Sequence, residues 1–437
     1  MFSQFLYGFF GIFSFLSFLR ILFYGSYTKV LGIAEGGTVV GARSVDDLIT
    51  TRRKYNFSDK IIWREKTYAP FLTVLNRRLQ KYQVNDPEPK IMEDDYMPVI
   101  FTLNNNAGTA AVFELTDAQG DLFQPGDVLA VIAATGDPTT MTEYALVTSV
   151  GLDGSGPAGA GYKAIGVTRQ YVGSATMNIS TAASWRIVHM GLTYSEGDGI
   201  GLSVDQEVAT VYNYTEIIKS AYEVTGTFNA TDYYGPVDMQ YKARKARLNF
   251  FRRLEYKLLF GIRGKKTVNG KPKRFTGGVL EHVPTANKLD FGGATLATTW
   301  NTKAESIFNV GSEEKMVFAG PGMMTLVDNA FSGSAGNYTK NEQLARNYLI
   351  RVMTLELTHG TLNFTREQAL ADLPRWTTNG FCLDLQYYQY MYMKGRDIQI
   401  LKNVQENDKD TEKNALFAEI GLHRTFATSQ FFLYNID

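Results

Sequence analysis

The sequence predicts an α+β protein with a small β-barrel or sandwich domain inserted in its first half. Residues 99–192 contain short apolar runs separated by Gly- and Pro-bearing turns, the pattern of an all-β unit. Residues 239–261 contain no Pro and no Gly before Gly261, which predicts one long helix with a terminal glycine. Residues 300–395 alternate helix-like and strand-like patterns, so helices and strands are mixed in the second half.

Composition excludes several classes of protein. The chain has 437 residues, with 44 Lys plus Arg against 44 Asp plus Glu, so a generally basic nucleic-acid binder is excluded although a local basic face is not. Apolar residues make up 44% and charged residues 20%, which excludes a disordered chain and a polytopic membrane protein. Cys382 is the single cysteine, which excludes an intramolecular disulfide and a cysteine-based zinc site.

The first residues, 1–27, form an apolar leader with three interpretations. The stretch Phe2–Leu19 carries no charge and has the length of a membrane-spanning helix. The leader is therefore a membrane anchor or uncleaved signal, a buried or partner-binding segment, or an extension upstream of a true start near Val30 or Leu31. The abrupt change of character after Tyr27 favours the extension.

The segments that follow the leader predict an arm and a short helix. Residues 28–60 are polar and irregular, so we expect an extended N-terminal arm with a short helix at Ser44–Thr51. Residues 66–82 contain a short amphipathic pattern, which predicts a second short helix.

The long helix concentrates positive charge. Phe250, Phe251, Leu254 and Leu258 trace an apolar face, and Glu255 is the one acid of the segment. The opposite face is predicted to carry seven cations: Lys242, Arg244, Lys245, Arg247, Arg252, Arg253 and Lys257. Like charges at this spacing disfavour a helix, so we expect an acidic partner, either a neighbouring subunit or nucleic-acid phosphates.

Local patterns predict several further elements. The Asn269-Gly270 pair predicts a hairpin. Met316–Gly320 is a buried strand pattern, and Pro321–Phe331 is a helix pattern directly after it. Strands are predicted at Asp397–Leu401 and Glu419–Leu422.

The candidate chemical motifs have structural interpretations. Gly154–Gly159 fits G-x-G-x-x-G in letters, but the strand pattern at Tyr162–Thr168 follows it, so a hairpin loop is predicted rather than a phosphate-binding loop. Cys382 is expected to be a small core residue, and His359 a turn or core histidine. Glu93–Asp95 and Ser195–Asp198 are expected to be solvated turns. The sequence therefore predicts no catalytic group, metal site or cofactor.

The order of parts resembles a known family. The specific series comprises Asn213-Tyr-Thr215-Glu, then Val224-Thr-Gly226-Thr227, then Glu255-Tyr-Lys-Leu-Leu259-Phe-Gly261, and finally Gly277-Gly278. This series, over about residues 205–280, resembles the major capsid proteins of tailed bacteriophages with the Hong Kong 97-type fold. It is most similar to the branch with a β-domain inserted ahead of the spine helix. The leader 1–27 lies outside the family pattern.

The resemblance implies a division of the chain into the family's parts. Residues 28–60 would be the N-arm, 61–235 the extended-loop region with the inserted domain at 99–192, 236–262 the spine helix, 263–300 and 396–437 the peripheral domain, and 301–395 the axial domain.

The resemblance also implies a function. The chain would be a non-enzymatic major capsid protein that self-assembles, as hexamers and pentamers, into an icosahedral shell around double-stranded DNA. Scaffold, portal and decoration proteins would be further partners, and the shell would be assembled in the host bacterial cytoplasm and form the virion capsid. In this interpretation the subunit or DNA contacts are made by Arg244, Arg247, Arg252 and Arg253.

Two other functions stay open on sequence alone. A membrane-anchored surface or adhesion protein would use the leader as its anchor and the β-domain as its binding module. An enzyme would need a site within 301–395.

Overall fold

The computed structural model describes most of the chain after residue 68. The described residues are 69–78, 81–94, 96–104, 110–132, 143–157, 159–171, 179, 185–194, 196–197, 199, 203–231, 238–293, 297–331, 338–340 and 351–436. The predicted leader, the N-arm and the helix at Ser44–Thr51 lie outside them.

The helices vary in length from one turn to more than six. In chain order they are α1 (Pro70–Arg78), α2 (Asp117–Gly120), α3 (Gly226–Asn229), α4 (Asp238–Phe260), α5 (Val279–His282), α6 (Ala297–Phe308), α7 (Pro321–Phe331) and α8 (Gln368–Asp372). Short 3-10 turns occur at Thr285–Asn287, Leu385–Tyr387 and Ala427–Ser429.

Within the described residues the strands form five sheets. In chain order they are β1 (Tyr82–Val84), β2 (Lys90–Glu93), β3 (Ile100–Thr102), β4 (Val112–Thr116), β5 (Asp127–Ile132), β6 (Glu143–Val150), β7 (Tyr162–Thr168), β8 (Arg186–Leu192), β9 (Ala209–Tyr212), β10 (Glu216–Thr225), β11 (Gly264–Val268), β12 (Lys271–Phe275), β13 (Lys288–Asp290), β14 (Glu314–Ala319), β15 (Tyr338–Lys340), β16 (Val352–Leu357), β17 (Gly360–Arg366), β18 (Gly380–Leu383), β19 (Tyr388–Met393), β20 (Gln399–Leu401), β21 (Thr411–Arg424) and β22 (Phe431–Tyr434). The sheet orders are β13-β22-β18-β14-β17-β16-β15, β3-β8-β5-β6-β7-β4, β1-β19-β21-β10 with β20 beside β21, and the two ribbons β2-β9 and β11-β12.

Backbone contacts divide the chain into two compact units. The smaller contains Tyr222–Lys245 and Gln405–Lys413, and the larger contains Lys66–Ala221, Ala246–Val404 and Asn414–Asp437. Within the smaller unit, the backbone N–H of Gly226 donates to the carbonyl oxygen of Asp410 at 3.2 Å.

The strands predicted within 99–192 are present and form one antiparallel sheet. Its apolar side chains, including Phe113, Leu129 and Ile187, form a hydrophobic cluster of their own. The two ends of the strand order are joined where the N–H of Asn104, just after β3, donates to the carbonyl oxygen of Glu114 in β4 at 3.1 Å. This bond favours the barrel over the sandwich, because it links the first and last strands of the sheet. That the unit is an insertion into a family fold stays a prediction.

The glycine-rich loop is a hairpin loop, as predicted. Gly154–Gly159 lies between β6 and β7, which pair antiparallel. Gly154 and Gly159 both have positive φ, at 71° and 85°, a conformation that favours glycine. A strand and not a helix follows the loop, so its N–H groups do not form a phosphate site.

The elements predicted in the second half are confirmed with small changes of boundary. The buried strand predicted at Met316–Gly320 is present as β14, and α7 has the predicted bounds. The Asn269-Gly270 turn joins β11 to β12 with φ of 51° and 72°, as a type I′ hairpin requires. Cys382 is fully buried in β18, and burial raises the pKa of its thiol to about 12.

The long helix ends where the sequence places its glycine. α4 covers Asp238–Phe260, and the N–H of Gly261 donates to the carbonyl oxygen of Lys257 at 2.8 Å. A Cβ on residue 261 would press against the backbone carbonyl oxygens of Lys257 and Thr276. Backbone atoms on both sides cannot move away cheaply, so only glycine fits this turn.

Substitution Gly261→Ala is therefore expected to lower the free energy of unfolding by about 1–3 kcal/mol. The matched control is Gly264→Ala, because a Cβ there would meet no atom within 4 Å. Chemical denaturation of both variants measures the difference, and equal stabilities would contradict the packing described at Gly261.

Candidate functional site

The C-terminal half of α4 is held in the main hydrophobic core. Phe250, Leu254 and Leu258 are at most 1% exposed and belong to the same apolar cluster as Phe71 and Leu75 of α1. The predicted apolar face of the helix is therefore confirmed for these residues. Because these residues form the buried face, the helical repeat determines which other positions of this half of α4 face outward.

One acid of α4 lies inside this core. Glu255 is 0% exposed, and its carboxylate accepts hydrogen bonds from the backbone N–H groups of Phe71 at 2.7 Å and Leu72 at 2.9 Å. These N–H groups belong to the first turn of α1, where no helical carbonyl is within reach. Pro70, the first residue of α1, has no N–H that needs a partner. Glu255 therefore caps α1 and interacts favourably with its dipole.

A second buried carboxyl group lies beside the first. Glu367 directly precedes α8, is also 0% exposed, and accepts a hydrogen bond from the N–H of Ala369 at 3.0 Å. Its other oxygen, Oε2, is buried and has no hydrogen-bond donor among the described residues. A proton on one of the two neighbouring carboxyl groups lets that group donate a hydrogen bond to the other.

The pKa values of the pair agree with a shared proton. Burial, together with the neighbouring charge of Glu367, raises the pKa of Glu255 well above its usual range. Burial likewise raises the pKa of Glu367 to about 7. Two adjacent carboxylates in a core cannot both ionise cheaply, so the pair titrates as a unit and holds one proton near neutral pH.

Glu255 does not lie among the cations on the helix surface, so this part of the prediction from the sequence is wrong. The carboxylate points into the core and neutralises none of the surface charge. Its position gave a usable signal, because Glu255 lies between Leu254 and Leu258 on the buried side of the helix. Glu367 had no comparable signal, since it acts through a partner more than a hundred residues away.

The cations of α4 do not share one face, contrary to the sequence analysis. Arg247 stands four residues before Phe251 and seven before Leu254, which puts it on the stripe that is buried further along the helix. It is nevertheless exposed, because the buried face begins only at Phe250. Arg253 is exposed on another side of the helix, as is Arg244.

Two cations of α4 are paired within the chain. Arg252 Nη2 lies 2.6 Å from Asp372 Oδ2 at the end of α8, and Tyr256 donates its hydroxyl to the same carboxylate at 3.3 Å. Lys257 forms an ion pair with Glu216 of β10. The expected acidic partner is thus supplied for these two residues by the subunit itself.

Two motifs of the family resemblance, those containing Asn213 and Gly277-Gly278, meet at one junction. Asn213 is buried and accepts hydrogen bonds through Oδ1 from the N–H groups of Tyr214 at 2.9 Å and Gly277 at 2.8 Å. Its side-chain amide donates to the carbonyl oxygens of Gly277 at 3.0 Å and Leu422 at 2.7 Å. One asparagine therefore fastens three chain segments that are far apart in sequence.

A buried arginine completes the junction. Arg424 donates to the carbonyl oxygen of Gly278 at 2.8 Å and lies 2.7 Å from Glu281 Oε2. Burial, and to a smaller extent the charge of Arg424, lowers the pKa of the neighbouring His282 to about 3. This histidine is therefore neutral. The junction is a structural hydrogen-bond network, in which the buried Nε of Arg424 has no partner among the described residues.

The described residues contain no group of three or more His, Cys, Asp or Glu placed to hold a metal ion. The two acidic turns named from the sequence fall only partly within the structure, where Asp94 and Glu196 are exposed. None of the helices in the described ranges combines the length and the apolar character needed to span a bilayer.

Comparison with known proteins gives one family and several similar structures. A family model described as SU10 major capsid protein matches residues 39–427. The capsid of a native GTA particle is similar with a TM-score of 0.43 and 10% identity, over 89% of this chain and 97% of that one. A structure from Mycobacterium phage Bobi is similar with a TM-score of 0.41 and 10% identity, over 88% of this chain and 96% of that one. No curated protein sequence matches.

The shared proton predicts how stability depends on pH. The folded pair keeps protons that free carboxyl groups of usual pKa 4.5 release. Its contribution to the free energy of unfolding is therefore complete below about pH 4.5 and is lost as the pH rises through about 7. Glu367→Gln removes one carboxyl group whose pKa is raised and replaces it with an amide that can donate a hydrogen bond to Glu255. We therefore expect the fall in unfolding free energy between about pH 5 and about pH 8 to be smaller in the variant than in the wild type.

Denaturant unfolding of the full chain at both pH values measures this difference. Glu356→Gln, at an exposed position of β16, is the control and keeps the wild-type slope. A Glu367→Gln variant with an unchanged slope would show that the pair holds no extra proton.

Proposed function

Because its residues 39–427 match the family model, the chain belongs to the SU10 major capsid protein family, and we propose that it self-assembles into the icosahedral shell enclosing a bacteriophage's double-stranded DNA. Family membership confirms the resemblance drawn from the sequence motifs. The protein is a capsid shell protein with a Hong Kong 97-like fold. Of the functions left open by the sequence, the membrane-anchored surface protein is therefore set aside.

The finer parts of the proposal concern how the shell is built. We propose hexamers and pentamers of this chain, with packaged DNA on the inner face and scaffold, portal and decoration proteins as further partners. We also propose that assembly takes place in the host bacterial cytoplasm before the shell becomes part of the virion. Zero net charge supports close packing of many copies, because it avoids long-range repulsion between subunits.

The exposed arginines of the long helix are proposed as contact residues. Arg247 and Arg253 are exposed and no acid of the described residues pairs with them, so an acidic surface outside the subunit is their natural partner. Arg244 is also exposed in the same helix, and it is proposed as a contact residue on this exposure alone. Arg252 has a weaker claim, because Asp372 already neutralises it. The partner is an adjacent subunit or the phosphates of packaged DNA.

The direct test is expression of the full chain, followed by size-exclusion chromatography and negative-stain electron microscopy. We expect closed shells, capsomer rings or curved sheets. A protein that stays a monodisperse monomer at every salt and protein concentration, and also with phage scaffold protein present, would contradict self-assembly.

The double variant Arg247→Glu and Arg253→Glu tests the role of the helix. We expect it to fold with the wild-type melting temperature, since both side chains are exposed, but to lose shells or to form shells that retain no DNA. Loss of shells indicates a subunit contact, whereas empty shells indicate a DNA contact. The control, Lys394→Glu with Lys402→Glu, changes two exposed cations elsewhere, and the idea fails if the arginine variant behaves like this control.

A further inference from the structure

Two ribbons of the larger unit stand apart from its sheets. β2 pairs only with β9, and β11 pairs only with β12, in the described strand order. A two-stranded ribbon is at best marginally stable in water on its own. Each ribbon therefore gains stability from a surface that covers it.

The ribbon β11–β12 is strongly basic. Its cations are Lys265, Lys266, Lys271, Lys273 and Arg274, and residues 264–275 contain no acid. The register puts Lys265 opposite Arg274 and Lys266 opposite Lys273. Like charges directly across a ladder destabilise it, so the isolated hairpin is electrostatically unfavourable.

No acid of the same chain relieves this repulsion within the described residues. The ion pairs of the neighbouring segments involve Arg263 with Glu281 and Lys257 with Glu216, and none involves a cation of the hairpin. The four lysines are exposed, and Val268, at the tip, is 44% exposed. The hairpin thus presents unneutralised positive charge beside an apolar side chain.

The residues that flank one end of the ribbon β2–β9 have the opposite charge. Glu93 pairs in register with Ala209, so Asp94 and Glu207 lie at the same end of the ribbon, with Asp205 shortly before it. These three acids are exposed. Large apolar side chains are exposed beside them, with Met92 at 79% and Val208 at 46%. We call this end, comprising Asp94, Asp205 and Glu207 with Met92 and Val208, the acidic end.

We propose that the β11–β12 hairpin of one copy docks on the acidic end of β2–β9 in a second copy. The two surfaces are complementary in charge, and each has an exposed apolar side chain that the contact would cover. A second copy is favoured over nucleic acid because every copy of the chain carries both the basic hairpin and the acidic end. The proposal rests on the proposed self-assembly and names a contact that helps to hold copies together.

A charge swap tests the contact. The hairpin variant is Lys265→Glu with Lys266→Glu, the ribbon variant is Asp94→Lys with Glu207→Lys, and the swap carries all four changes. Each double variant should lower the assembled fraction by about tenfold or more, since like charges then face each other across the contact. The swap should restore assembly, because it re-creates opposite charges. Sedimentation and electron microscopy measure assembly, and circular dichroism confirms that each variant is folded.

The outcomes separate this proposal from the function on which it rests. If the wild type never assembles, self-assembly itself is wrong. If the wild type assembles but either double variant does too, or the swap fails to restore assembly, only the proposed contact is overturned. If the hairpin variant assembles normally but its shells no longer retain DNA, the hairpin binds nucleic acid and the contact between copies is likewise overturned.

Discussion

The arrangement of the long helix depends on two carboxyl groups buried in the main core. Glu255 accepts hydrogen bonds from the first turn of α1, and Glu367 caps α8 beside it. A buried carboxylate without such partners costs several kcal/mol, so the helices that supply the N–H groups must stay in place around it. The middle of α4, the start of α1 and the start of α8 are thereby fixed to one point. The apolar packing of Leu254 and Leu258 stabilises the same arrangement without specifying it.

Charge without an acidic partner is left on the surface. Buried or half-buried charged groups such as Arg424 and Glu216 form ion pairs inside the subunit, whereas the hairpin lysines have no acidic partner among the described residues. The chain is neutral as a whole but carries a basic hairpin, β11–β12, and an acidic end of β2–β9. In our proposal, association with further copies brings these opposite charges together. This property agrees with membership in a capsid family, since a shell consists of many copies of one surface.

The sequence predicted those features whose cause is local. The bounds of α7, the end of α4 at Gly261 and the Asn269-Gly270 hairpin each follow from residues within a few positions. The features it missed depend on partners distant in the chain. The capping of α1 by Glu255 and the pairing of Arg252 with Asp372 could not be predicted, because the partners are far away in sequence. The motif at Asn213 supported only the family resemblance, because the hydrogen bonds that Asn213 makes to Gly277 and Leu422 join segments far apart in sequence.

A proton shared by Glu255 and Glu367 in the folded subunit can be detected through the infrared band of a protonated carboxyl group, recorded on the full chain at about pH 6. We expect the wild type to show this band and the double variant Glu255→Gln with Glu367→Gln to lack it. Raising the pH well above 7, the pKa reached by Glu367, should weaken the band in the wild type. Identical spectra of the wild type and the folded double variant would contradict the account.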